Sequence, residues 1–201
     1  LHGSSAASDV YKRQELLDAQ LMDSIESDDF NLFKHLLEVG ANPNTLHYQR
    51  HVGFMTPLME ASNSNDPRYV IELLKYGADP NIVTDSGFAL QHALMNDNSM
   101  RVLYHLLKNG ANPFLKDENG DTAYDMAVND NWVNYTQEIE LLKRWMDFYR
   151  VQRVGRRYLT RKRIKTKRAN RRLALSKHML DDNITYGNIT SGNPMSYMDY
   201  D

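Results

Sequence analysis

The chain has 201 residues, with 24 Lys and Arg against 26 Asp and Glu, and a formal net charge of −2. It contains no Cys, which excludes disulfides and thiol chemistry. No apolar run approaches the roughly 20 residues that a transmembrane helix needs. The length allows one domain with an appendage, and the composition favours an intracellular protein, cytoplasmic or nuclear.

The N-terminal segment, residues 4–14, resembles the translation of a sequencing adapter. Leu1 also stands where an initiating Met is usual. We therefore expect residues 1–14 to be an artefact that packs against nothing in the folded chain.

Three later segments share the pattern Leu-Leu-x-x-Gly-Ala-Asx-Pro, at residues 36–43, 73–80 and 106–113. The glycines of the first and second copies are 37 residues apart, and those of the second and third are 33 apart. In each copy the Leu pair closes an amphipathic helix, the Gly ends it in a left-handed conformation, and Asx-Pro opens a turn. A unit recurring at this spacing predicts a solenoid.

Helix-start signals precede the second and fourth units. Thr56-Pro57 places a capping side chain before a first-turn proline, and Thr122 follows a turn over residues 117–121. The third unit departs from this pattern, with Ala89 and Leu90 in its helix start. We expect helical pairs at about 57–63 with 66–76, 89–95 with 99–109, and from 122 with a second helix after 134. A first pair lies on either side of Asp28-Asp29.

These residues together resemble the ankyrin repeat, in which a β-turn precedes two antiparallel helices. The resemblance implies an all-α ankyrin-repeat solenoid of about four units over residues 15–147, followed by a long basic helix and a disordered tail. The expected boundaries are 15–51, 52–83, 84–116 and 117–147 for the repeats, 143–180 for the basic helix, and 181–201 for the acidic tail.

The resemblance also implies a monomeric, non-enzymatic module that binds an unidentified protein through its turn tips and the concave face of its first helices. The residues expected to contact the partner lie at the tips or on the inner helices. They are Tyr48, Arg50, Met59, Asp85, Phe88, His92, Glu118 and Asn119.

The stretch Thr45–Gly53 is longer than its counterparts in the other repeats. Insertions in solenoids fall in loops on one face, which is often the binding face. A surface loop that is merely tolerated explains the same length equally well, because lengthening such a loop costs little free energy.

Charge is segregated along the chain. Residues 15–142 carry 7 Lys and Arg against 20 Asp and Glu, whereas residues 143–180 carry 15 against one acid, Asp147. Such asymmetry predicts an anionic partner for the basic segment. Nucleic-acid binding through this segment is therefore the alternative function, and its basic cluster also matches a nuclear-import signal.

The basic segment also resembles a degenerate calmodulin-binding IQ motif, with Arg157 where the motif usually has Gly. Binding of this helix to an anionic membrane is another alternative, but its apolar face becomes sparse after Leu159, which argues against it. Docking on the acidic repeats and a solvated helix without a partner are the remaining alternatives. The residues of the basic helix expected to bind nucleic acid or a calmodulin-like protein are Val151, Gln152, Arg156, Arg161, Lys162, Arg163 and Ile164.

Catalytic and metal chemistry have little support in the sequence. There is no Gly-rich phosphate loop and no nucleophile motif. His35 and His105 recur at equivalent repeat positions, which a structural role explains, and His47 and His51 lack a carboxylate cluster to complete a site. We expect no catalytic residue, no metal and no cofactor.

Overall fold

The computed structural model describes residues 3–64, 66–95, 99–130 and 134–189, with side chains omitted at 3–6, 173 and 175–189. The chain divides into two units, with the boundary between Phe148 and Tyr149. The elements, in chain order, are α1 Gly3–Glu26, α2 Phe30–Glu38, β1 His47–Gln49, β2 Gly53–Met55, α3 Pro57–Asn63, α4 Pro67–Lys75, α5 Ala89–Ala93, α6 Ser99–Lys108, α7 Ala123–Asn129 and α8 Thr136–Ile189.

In the first unit, helices pair in sequence and stack on the next pair. The inner helices α1, α3, α5 and α7 form one row, and the outer helices α2, α4 and α6 form another. Between the rows lies a continuous apolar core in which Phe33, Tyr69 and Leu103 are fully buried. The core runs on to Leu142 in α8, which is also fully buried. No pair could bury these side chains alone, so each stabilises its neighbours.

The helix ends follow the local sequence. Thr56 caps α3 by accepting a hydrogen bond from the amide of Met59, and Thr122 forms a reciprocal capping box with Asp125. Phe88 stands at the equivalent position before α5 and has no side chain that caps. This missing cap accompanies the shortest of the described helices, with five residues.

Asparagine side chains tie consecutive repeats together. Asn44 donates to the carbonyl of Gly77 and accepts from the amide of Asp79, over 3.2 and 2.7 Å. Asn81 repeats this bridge to Gly110 and Asn112, over 3.1 and 2.7 Å. Each Asn therefore satisfies two main-chain groups of the next repeat, which the irregular turn would otherwise leave unpaired.

The N-terminal segment makes one set of contacts that the sequence did not predict. Residues 7–13 are exposed, but Gln14 donates to the carbonyl of Gly40 at 3.1 Å, and Asp18 accepts from the amide of Asn42 at 2.8 Å. Together these two side chains occupy the place that Asn44 and Asn81 take between later repeats. The expectation that residues 1–14 contact nothing is therefore wrong at Gln14.

Two further expectations differ from the structure. The Thr45–Gly53 insertion contributes to an antiparallel hairpin of β1 and β2 instead of remaining a plain loop, with Tyr48 opposite Phe54. Helix α8 continues to Ile189, beyond the expected end of the basic helix at 180. The rest of the tail that was expected to be disordered, residues 190–201, lies outside the described residues.

Candidate interaction surface

Three turn tips follow one another along the first unit, and side chains connect each to the next. The hairpin is held by Asp85 of the second tip, whose carboxylate accepts from the Phe54 amide at 2.8 Å. Ser86 donates its hydroxyl to the Phe54 carbonyl. Gln91 in α5 donates to Asp117 of the third tip at 2.8 Å. The tips are thereby fixed relative to one another, as a preorganised surface requires.

The third tip is a compact turn centred on one carboxylate. Asp117 accepts from the amides of Asn119 and Asp121, both over 2.9 Å. Burial opposes ionisation at Asp117, but the hydrogen bonds from Gln91 and from the turn amides outweigh it and lower the pKa of this carboxyl. The ionised side chain holds the turn closed and leaves Glu118 and Asn119 exposed at its apex.

Five of the eight residues expected to bind a partner are exposed at these tips. They are Tyr48, Arg50, Asp85, Glu118 and Asn119. The Asp85 carboxylate also accepts a hydrogen bond from the hairpin at Phe54, so it has a structural role as well as an exposed position.

The other three residues are buried, which corrects the expectation that they line an accessible face. Met59 is 1 % exposed, Phe88 is 0 % exposed and His92 is 5 % exposed. Met59 belongs to the apolar core, with its Sδ atom 3.7 Å from the Thr84 hydroxyl, and His92 is buried against the Ser86 carbonyl. Phe88 enters the core directly, as an apolar residue at a helix start does when no capping group is present.

Among the described residues, His92 makes one side-chain hydrogen bond. Its Nε2 atom lies 3.0 Å from the Ser86 carbonyl oxygen, and its Nδ1 atom is buried without a partner among the described residues. Burial lowers the pKa of His92, and the contact with Ser86 opposes this in part. Since a carbonyl oxygen only accepts hydrogen bonds, Nε2 is the donor, and the ring contacts the second tip at Ser86.

A polar cluster that was not predicted from the sequence lies at the hairpin. Gln49 donates one amide group to both Glu26 and Glu60, over 2.9 and 3.2 Å. Burial raises the pKa of Glu60, the hydrogen bond from Gln49 lowers it, and the charge of Glu26 raises it further. No signal in the sequence points to this cluster, because its three side chains lie on separate elements and β1 has only three residues.

The second unit presents its cations to solvent. All described side chains from Val151 to Arg172 are exposed. Gln152 accepts a hydrogen bond from Arg156 at 3.2 Å. Val151 and Ile164, the two apolar ends of the IQ-like segment, lie roughly 140° apart around an ideal helix and so do not share a face. Lys162 and its basic neighbours Arg161 and Arg163 occupy three separate directions on this helix.

Within the described residues, no group of three or more His, Asp or Glu side chains is placed to hold a metal ion. None of the described helices is long and apolar enough to cross a membrane.

A family model described as ankyrin repeats, in three copies, matches residues 21–117. No curated protein is significantly similar to the chain. Residues 21–117 are therefore an ankyrin-repeat region, and the predicted fold class, a helical repeat solenoid with a long C-terminal helix, is confirmed. The match ends at residue 117, so the fourth unit rests on the packing of α7 and of Leu142 in α8.

Proposed function

We propose that the chain is a non-enzymatic scaffold that binds another protein on the tips of its ankyrin repeats and on the groove beside them. Ankyrin repeats generally mediate protein–protein interaction, and such proteins are typically interaction modules without catalysis. The observation that supports the tips here is their mutual anchoring through Asp85, Ser86 and Gln91, combined with exposed Tyr48 and Glu118.

Rigid tips favour binding because little conformational entropy is lost when a partner docks. Tyr48 is 62 % exposed and its ring stacks edge-on against Phe54, with centroids 5.4 Å apart. Aromatic residues supply large contact areas with few rotatable bonds, which is why they are frequent in protein interfaces. The hairpin that carries this pair is the most prominent candidate anchor on the described surface.

A variant test separates the tips from the outer helices. Binders are selected against the full chain from a phage-displayed peptide library, and their affinities are measured for a tip variant with Tyr48→Ala, Glu118→Ala and Asn119→Ala. The matched control changes exposed residues of the outer helices, Tyr104→Ala and Lys108→Ala. We expect at least about a tenfold loss for the tip variant and less than about twofold for the control. The opposite ranking would refute the proposed surface.

A second candidate function rests on the exposed cations of α8. Because the described side chains from Val151 to Arg172 are all exposed, this segment is free to contact a polyanion such as nucleic acid or an acidic calmodulin-like protein. The full chain should elute from heparin resin at a higher salt concentration than the R161E/K162E/R163E variant. Val151→Asp with Ile164→Asp should abolish calmodulin binding but leave heparin retention intact, since it removes apolar groups and no cation. If the full chain and the R161E/K162E/R163E variant elute from heparin at the same salt concentration, the polyanion function is excluded.

A further inference from the structure

We propose that the outer edge of strand β1 binds an extended peptide in which apolar and basic residues alternate. This inference rests on the proposed function, because it names the chemistry of a partner for the same tip surface. It is carried by the hydrogen-bonding pattern of the hairpin and by the different characters of its two faces.

The two edges of the hairpin differ in whether their outward main-chain groups have hydrogen-bond partners. In an antiparallel pair, a residue whose main-chain groups do not bond to the opposite strand directs them outward. Phe54 directs its amide and carbonyl outward to Asp85 and Ser86, which therefore occupy the outer edge of β2. Tyr48 is paired with Phe54 in the register, so its own amide and carbonyl point outward on the opposite edge, along β1.

That second edge is unpaired within the part of the chain that the structure describes. None of the described residues forms a hydrogen bond to the main-chain amide or carbonyl of Tyr48. An open strand edge is a template for pairing with another extended chain, and extended peptides recognised in this way add a strand to the sheet. The side chains of Asp85 and Ser86 hold the hairpin in place on its other edge, so the template is already formed before a peptide arrives.

The two faces of the hairpin specify the sequence of the added strand. Side chains of an added strand alternate between the two faces of the sheet. One face carries the exposed rings of Tyr48 and Phe54, which fit an apolar side chain. The other face carries Gln49, which donates hydrogen bonds to the carboxylates of Glu26 and Glu60. A residue opposite Tyr48 should therefore be apolar, and its neighbours should be basic.

Charge complementarity favours a basic peptide over a second copy of the chain. Residues 15–142 carry 7 Lys and Arg against 20 Asp and Glu, so two repeat regions repel each other. The burial of Glu60 and its proximity to Glu26 already disfavour two full negative charges there. A Lys or Arg of the peptide relieves this repulsion, whereas Arg50 in the hairpin turn lies on the periphery and adds a single positive charge.

The test uses a fluorescein-labelled peptide of five alternating Val-Lys pairs and the full chain, with binding followed by fluorescence anisotropy. In the proposed register the amides of the valines face β1 and those of the lysines face away. N-methylation of the valines should abolish binding, whereas N-methylation of the lysines, the matched control, should change affinity less than about threefold. A Val-Glu peptide of the same length should not bind.

Protein variants test the same register from the other side. Tyr48→Pro should lower affinity at least about fivefold below that of Tyr48→Ala, which loses the same ring, because Pro also removes the outward amide and the net stabilisation by a hydrogen bond is about 1 kcal/mol. Proline is tolerated where a strand amide faces solvent, and circular dichroism checks that the fold persists. Glu26→Gln with Glu60→Gln should also weaken binding, whereas Glu38→Gln with Glu72→Gln on the outer helices should not.

Each remaining outcome overturns the inference in a distinct way. Equal binding of the valine- and lysine-methylated peptides would mean attraction by charge alone, without strand pairing. Self-association of the chain that Tyr48→Pro abolishes would identify a second copy as the occupant. If the Val-Lys peptide does not bind while the tip variant still weakens the selected binders, the strand-pairing inference fails and the proposed function stands.

Discussion

At the residue scale, the glycines that end the outer helices explain why the repeats could be recognised in the sequence. Gly77 and Gly110 have φ values of 85° and 94°, in the left-handed region that other residues avoid. After each Gly the next amide reaches back to close the helix, as in the bond of 3.0 Å from Ala111 to the Leu106 carbonyl. Because each helix ends in a left-handed conformation, glycine recurs at the same position in each repeat.

Gly110→Val should lower the free energy of unfolding by roughly 1–3 kcal/mol in urea denaturation, through backbone strain alone. A Cβ at this position meets nothing within 4 Å. Gly155 is the matched control, because a Cβ there also meets nothing but its backbone is helical. Gly155→Ala should cause no loss of stability; equal losses at the two sites would show that strain is not the cause.

His92 should make stability depend on pH. Burial lowers its pKa in the folded state below the usual value of 6.5. Below that value the unfolded chain binds a proton that the folded chain does not accept, so the free energy of unfolding falls as the pH decreases. Above about pH 6.5 both states are neutral and the contribution is constant.

The check is the difference in unfolding free energy between pH 7.5 and pH 5.5, measured by urea denaturation. His92→Gln should make this difference smaller. His105 also has a lowered pKa, from burial and from the charges of Lys108 and Arg101, but it is less enclosed. His105→Gln should therefore change the pH dependence less than His92→Gln, and the reverse order would contradict the assignment.

At the element scale, most of the repeat could be predicted from sequence because each helix boundary has a local chemical signal. The expected helix 57–63 coincides with α3, and the expected helix 66–76 contains α4, Pro67–Lys75, with one extra residue at each end. Thr56 and the tandem of Gly77 with Ala78 mark these ends in the sequence. The burial of Met59 and His92 could not be predicted in this way, since it depends on tertiary packing and has no local signal in the sequence.

The hairpin was not predicted because its strands have three residues each, too few for a periodicity to stand out. Its position depends on tertiary contacts with Asp85 and Ser86, more than 30 residues later. The polar cluster of Glu26, Gln49 and Glu60 has the same origin. A site assembled from three separate elements leaves no spacing pattern in the chain.

The asparagine bridges connect consecutive repeats by hydrogen bonds, and Asn81→Ala should reveal their contribution. This change leaves the Gly110 carbonyl and the Asn112 amide without their partner, so the free energy of unfolding should fall by about 1–3 kcal/mol. Asn63→Ala, on an exposed residue of α3, is the matched control and should shift it by less than about 0.5 kcal/mol. Equal effects in urea denaturation would mean that the bridges add nothing.

At the scale of the whole molecule, these hydrogen-bonded bridges between repeats begin at the first repeat and end before the fourth unit. Gln14 and Asp18 supply the first bridge from a helix, and Asn44 and Asn81 supply the next two. Phe114 stands where a further Asn would be expected, so the series of bridges stops before the fourth unit. The fourth unit is joined through apolar contacts of α7 and Leu142, together with the hydrogen bonds from Gln91 to Asp117 and from Ser99 to Glu138.

The central claim, that partners bind on the tips, is tested most directly by hydrogen–deuterium exchange on the full chain with and without a binder from the phage selection. The account predicts slower exchange on binding within residues 45–55, 84–92 and 117–126. The outer helices α2, α4 and α6 should exchange as they do in the free chain. Protection confined to those outer helices, with no change at the tips, would contradict the account.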